Sequence, residues 1–90
     1  MGQFMRTVPG MTFLDYVATG TEGNKIPLPG LIGHKIALVT YNTLTLIPEN
    51  TNPPDSQGWY YDSTAGSPTY GDLILGIPLS PTDVIQILYT

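Results

Sequence analysis

The sequence predicts an all-β protein: a small antiparallel β-sandwich of about seven short strands, or a partly closed barrel. Three observations point there. Ten glycines and nine prolines are scattered over 90 residues, so no stretch free of both is long enough for a secure helix. The longest such stretches, near residues 11–18 and 36–47, are rich in Thr, Val, Ile and Tyr. Those side chains lose freedom in a helix and pack well on a pleated surface. Turn-forming clusters recur about every eight to twelve residues, the spacing of a sandwich rather than of alternating strands and helices.

The elements follow in order. Residues 1–11 read as an N-terminal arm, and residues 12–90 as the β-sandwich domain. In "MTFLDYVA" (residues 11–18), Phe13, Asp15 and Val17 point one way and Leu14 and Tyr16 the other. "TGTEGN" (residues 19–24) is a turn. "KIPLP" (residues 25–29) is a short strand whose two prolines cannot donate to a ladder, which puts it at a sheet edge. "GLIG" (residues 30–33) is a second turn.

"HKIALVTYNTLTLIP" (residues 34–48) reads as two strands meeting near Tyr41, Asn42 and Thr43, with Asn42 suited to left-handed backbone. Simple alternation sets Ile36 and Leu38 on one face, and Ala37, Val39 and Tyr41 on the other. In the second strand it sets Leu44 with Leu46, and Thr45 with Ile47. Residues 49–58, "ENTNPPDSQG", form a polar loop long enough to be flexible or functional. "WYYD" is a strand with Trp59 and Tyr61 on one face and Tyr60 on the other. "DSTAGS" is a turn in which Asp62 bonds nearby backbone N–H groups. "PTYGDLILGIPL" gives one strand or two, and "SPTD" is a turn with φ preset by Pro81.

The last segment, "VIQILY" (residues 84–89), is apolar on both faces except for Gln86. Ile85, Ile87 and Tyr89 suit the core. Val84 and Leu88 then stand beside Gln86 on the other face and need cover from a subunit or from the arm. Val84, Gln86 and Leu88, with Phe4 of the arm, are therefore the candidate interface.

Composition narrows the function. Only 11% of residues are charged, against about 25% in an ordinary soluble domain. The net charge is −4, and Arg6, Lys25 and Lys35 are the only Lys and Arg residues. Three scattered cations release few counterions from a phosphate backbone, which argues against nucleic acid as a partner. A weakly charged surface does little to oppose association. There is no cysteine, hence no disulfide and no thiolate metal site. A domain this small without staples often gains stability from neighbours. No apolar run approaches the ~20 residues of a membrane-spanning helix. The first residues match neither a signal peptide nor a myristoylation pattern, so no membrane partner is expected.

Chemistry-bearing patterns are sparse. His34 is the single histidine and has no serine elbow to serve, so it reads as a solvated residue at a strand start. The acids Asp15, Glu22, Glu49, Asp55, Asp62, Asp72 and Asp83 fall mostly in turns, where Asp makes local hydrogen bonds. No calcium-loop series, phosphate loop or dinucleotide fingerprint is present, so neither cofactor nor metal is expected. "GWYYD" is the one stretch that suggests a ligand. Trp59 and Tyr61, beside the polar loop, are the candidate ligand-binding residues for a sugar or protein receptor. The same side chains also fit cross-strand packing in the core.

With the strands placed, "KIALVTYNTLTLIPE", "WYYDSTAGSPTYG" and "PLSPTDVIQILYT" together resemble small β-domains of tailed-phage virion proteins. The matching positions are Tyr60 or Tyr61, Asp62, Gly66, Tyr70, Pro78, Leu79, Asp83, Ile85, Ile87 and Tyr89. "ATGTEGNKIPLPGLIGHKI" resembles the upstream part of such domains, so the resemblance spans residues 12–90. The proline-rich "TNPPDSQG" loop departs from the pattern. The resemblance implies a non-enzymatic fibre, capsid-decoration or adaptor protein located in the virion, often homotrimeric and contacting other virion proteins. It brings no catalytic residue. The alternative is a glycan-receptor-binding sandwich that uses Trp59 and the 49–58 loop.

Overall fold

The computed structural model describes the backbone of residues 3–8 and the whole of residues 10–90. It is a β-sandwich with no closed barrel. The first sheet contains β1 (Gln3–Val8), β2 (Met11–Val17), β4 (Ile36–Tyr41), β5 (Leu44–Thr45) and β9 (Val84–Tyr89), in the order β1-β2-β9-β4-β5. The second contains β3 (Lys25–Pro27), β6 (Ile47–Pro48), β7 (Gly58–Tyr61) and β8 (Asp72–Leu75), in the order β3-β8-β7-β6. A single 3₁₀ turn, Pro29–Leu31, leads from β3 to β4. The sandwich is mixed rather than purely antiparallel, because β6 pairs with β7 in parallel.

The doubly apolar strand β9 is central. It pairs along its length with β2, from Thr12 opposite Tyr89 to Val17 opposite Val84. On its other side it pairs with β4, from Ile36 opposite Tyr89 to Tyr41 opposite Ile85. Ile85 and Ile87 are fully buried and point at the second sheet, where Ile26, Leu73, Leu75 and Trp59 complete the core. Tyr89 packs on that core from its margin. The segment read as an arm supplies β1, whose backbone pairs with β2 from Gln3 opposite Tyr16 to Val8 opposite Met11. Met1, Gly2 and Pro9, which were included in that arm, lie outside the described residues.

The described residues form nine strands rather than seven, for physical reasons. Residues 44–48 are two strands because the chain leaves the first sheet at Thr45 and joins the second at Ile47. The crossing breaks the expected alternation. Leu46 turns into the core, while Leu44 is 58% and Ile47 57% exposed. A bulge between Ile36 and Leu38 shifts the faces of β4, so Ile36 joins Val39 and Tyr41 on the core side and Leu38 faces out. The expected pairing of Ile36 with Leu38 is thereby corrected.

The turns are held by carboxylates. Asp83 accepts hydrogen bonds from Tyr41 Oη (2.9 Å), Asn42 Nδ2 (3.0 Å) and the Ser80 N–H (2.8 Å). It thus ties the β4–β5 turn to the turn that launches β9. Asn42 completes the link by accepting the Val84 N–H at 2.8 Å. The β4–β5 turn needs positive φ at both of its central residues, Asn42 (47°) and Thr43 (72°).

The polar loop of residues 49–58 is seated rather than free. Glu49 Oε1 accepts the Asp55 N–H at 2.9 Å, and Asn52 Nδ2 donates to Thr69 Oγ1 at 3.2 Å. Pro54 is buried, and so is Ile74, although Ile74 lies on the face of β8 away from the core. Gly76 records how close the loop comes: a Cβ there would stand 1.8 Å from the carbonyl oxygen of Asp55. Because backbone rather than a flexible side chain blocks the space, Gly76→Ala is expected to cost about 1–3 kcal/mol in urea unfolding. A change within about 0.5 kcal/mol would mean that the loop does not rest there.

Candidate functional site

Two regions gather the residues singled out in the sequence. The first is the outward face of the five-stranded sheet. Register places Phe4, Asp15, Gln86 and Thr40 in one row across β1, β2, β9 and β4. Arg6, Phe13, Leu88 and Leu38 hold the register positions of the next row, and Val17 opposite Val84 a further pair. Val84, Gln86 and Leu88 therefore share a face, each half-buried by its neighbours. Phe4 occupies a register position on the same row, but its side chain lies outside the described residues. Thr40 Oγ1 donates to Gln86 Oε1 at 3.3 Å, so the polar row is partly satisfied within the sheet. Asp15 is the one charged residue that β2, β4 and β9 place on this face, and it is buried. Phe13 and Leu38 escaped sequence reading because their place beside Leu88 depends on β9 lying between β2 and β4.

The second region is a cleft of about 410 Å³ at the open side of the sandwich. One wall comes from the start of β4: His34, Lys35 and Ile36. The other comes from Pro48, Glu49 and Asn50 after β6. Trp59, Tyr60 and Tyr61 of β7 line it as well, so both candidate ligand-binding residues meet there. Parallel pairing of β6 with β7 fixes this juxtaposition, through the Glu49 N–H bonded to the Trp59 carbonyl at 2.9 Å. Gly58 leaves the room it requires, since a Cβ at that position would lie 2.6 Å from Glu49 Oε2.

Trp59 and Tyr61 differ in their freedom. Tyr61 Oη donates to the Leu28 carbonyl at 2.7 Å, and its ring packs on the core, so it is fixed in a structural role. Burial, followed by the nearby Tyr70 and Asp72, raises its pKa. Trp59 is only 9% exposed and belongs to the core, as cross-strand packing requires. Its indole Nε1–H, however, is the one buried side-chain polar atom among the described residues that meets no partner. An unsatisfied buried donor costs about 1–3 kcal/mol.

His34 is exposed and fixed at one nitrogen. Its Nδ1 lies 2.7 Å from the Thr90 carbonyl oxygen, and its ring meets Tyr89 edge-on at 5.2 Å. A carbonyl can only accept, so Nδ1 carries the hydrogen and leaves Nε2 as an acceptor in the neutral ring. The sequence marked His34 as solvated, and its exposure agrees; its place on the cleft wall comes from the position of β4. A smaller apolar notch of about 230 Å³ lies among Leu14, Leu28, Leu31 and Tyr89 and presents no ionisable group other than that tyrosine.

Two further carboxylates hold turns. Glu22 accepts from Tyr16 Oη (2.6 Å) and from the N–H groups of Thr19 (2.8 Å) and Gly20 (3.0 Å). Asp62 accepts from Ser67 Oγ, Thr69 Oγ1 and the Thr64 N–H. No group of three or more His, Asp or Glu residues placed to hold a metal occurs among the described residues. Comparison of the chain with protein-family models, with curated proteins and with solved structures gave no match.

Proposed function

We propose that the protein is a non-enzymatic structural component of a bacteriophage virion, a capsid-decoration, fibre or adaptor protein, that works through oligomeric assembly, with a homotrimer as the favoured state. The observation that carries this reading is the outward face of the five-stranded sheet. It sets Phe13, Leu88 and Leu38 side by side across three strands, with Val17 and Val84 beyond the polar row. Interface cores are rich in aromatic and aliphatic side chains, as the β2, β9 and β4 part of this face is, with its charged positions limited to the buried Asp15 and, at the β1 edge, Arg6 opposite Phe13. The carboxylates support the same reading, because Glu22, Asp62 and Asp83 are engaged in holding turns. The resemblance of residues 12–90 to virion domains supplies the setting.

The test is absolute mass by light scattering over a hundredfold dilution, for the natural chain and for Leu88→Lys. Deleting β9 would not serve, since β2 and β4 both pair with it. A closed oligomer is expected for the natural chain. Leu88→Lys removes an apolar contact worth about 1.5–3 kcal/mol and buries an unpaired charge. Association should weaken by about a hundredfold or more, with the monomer still folded by circular dichroism. A natural chain that stays monomeric at every concentration and beside every virion protein tested overturns the proposal.

A further inference from the structure

We infer that the cleft beside Trp59 binds a short neutral oligosaccharide built of β-linked glucose-type rings. The site shares no residue with the apolar face described above, so it stands or falls separately. Its volume, about 410 Å³, lies within the range of small-ligand sites. Its lining holds one basic and one acidic residue, Lys35 and Glu49. A net-neutral cleft favours a neutral ligand over an anion or a cation.

The polar groups are of both kinds. Lys35 and Asn50 donate. His34 Nε2 accepts, and Glu49 Oε2 receives no hydrogen bond among the described residues, its partner oxygen having taken the Asp55 N–H. Hydroxyl groups, each both donor and acceptor, match such a mixture better than a ligand with one kind of group. Trp59, Tyr60 and Tyr61 line the cleft, and Tyr60, half-buried and outside the core, is the ring with most surface to offer. Rings with equatorial hydroxyls present flat C–H faces, and such faces pack on aromatic surface. Trp59 lines the cleft and carries a buried indole N–H that meets no partner among the described residues, a donor whose cost a hydrogen bond to a ligand seated against the ring would remove.

Trp59 is the only tryptophan, so its emission reports directly on the site. The experiment titrates the β-1,4-linked trimers of glucose and of N-acetylglucosamine into the full chain. A saturable change in emission is expected for at least one, with half-saturation at or below about 1 mM. Lys35→Ala and Asn50→Ala alter exposed residues, and each should weaken binding by about fivefold or more at an unchanged thermal midpoint. No saturable change up to about 10 mM for either trimer overturns the inference. So does binding that both substitutions leave untouched, because the sugar would then lie elsewhere.

Discussion

Ile87→Ala is expected to lower stability by about 3–4 kcal/mol in urea unfolding, whereas Leu88→Ala, measured on dilute monomer, costs about 1 kcal/mol or less. The two residues are chain neighbours on one strand, but their environments differ. Ile87 is fully buried between Leu14 on β2 and Val39 on β4, and it faces the second sheet. Deleting its methyl and methylene groups loses their transfer energy and leaves a cavity that a close-packed interior cannot collapse around. A domain of this size has about 5–13 kcal/mol to lose. Leu88 faces outward beside Phe13 and Leu38 and keeps partial contact with water. Equal costs at the two positions would mean that the faces of β9 are wrongly assigned, and the apolar face proposed for assembly would fall with that assignment.

The same contrast shows what a sequence can disclose. Faces along a strand follow from alternation, so the separation of Leu14 from Phe13, and of Trp59 and Tyr61 from Tyr60, was legible, while which face meets the core came from the packing of the two sheets. Local chemistry was legible too: Pro27 at an edge strand, Asn42 in a left-handed turn, Asp62 bonding the Thr64 N–H. Alternation fails where the backbone departs from the regular pleat. The bulge at Ala37 moves Ile36 to the core face, away from Leu38, and the crossing at Leu46 separates Leu44 from its expected partner. Both depend on which strands lie alongside, a long-range property. The cleft is long-range as well. Trp59 and Tyr61 stood out as aromatics beside a polar loop, but His34 and Lys35 become their neighbours only because the start of β4 lies across from β7. Seating of the 49–58 loop was hidden for a similar reason, since Gly76 and Thr69, which receive it, come from later segments.

Asp62 should prove the most sensitive polar residue, and acid should expose it. Only 2% of its surface is open to solvent, and its carboxylate accepts three hydrogen bonds. Asp62→Ala strands Ser67, Thr69 and the Thr64 N–H at the mouth of the β7–β8 turn, and the thermal midpoint should fall by about 10 °C or more. The hydrogen bonds from Ser67, Thr69 and Thr64 hold its pKa below the ordinary Asp value against the opposing effect of burial. Asp83 is lowered in the same way, by Asn42 first and then by the Ser80 N–H. For Glu22, burial raises the pKa, but the bonds from Tyr16, Thr19 and Gly20 outweigh it and bring it to about 2. In all three, the unfolded chain takes up its proton at a higher pH than the folded one. Unfolding therefore binds protons as pH falls below about 4.5, and folding stability declines with it. The thermal midpoint should stay level from neutral pH down to about 5 and drop between about 4 and 2. At the alkaline end Tyr16, raised to about 12 by burial and by Glu22, adds stability that is lost from about pH 10 upward. Glu22→Gln should flatten part of the acid drop and a smaller part of the alkaline one, because the Tyr16–Glu22 hydrogen bond contributes to both while burial, the larger cause at Tyr16, remains. A midpoint level down to pH 2 would mean that the carboxylates holding these turns contribute nothing to the fold.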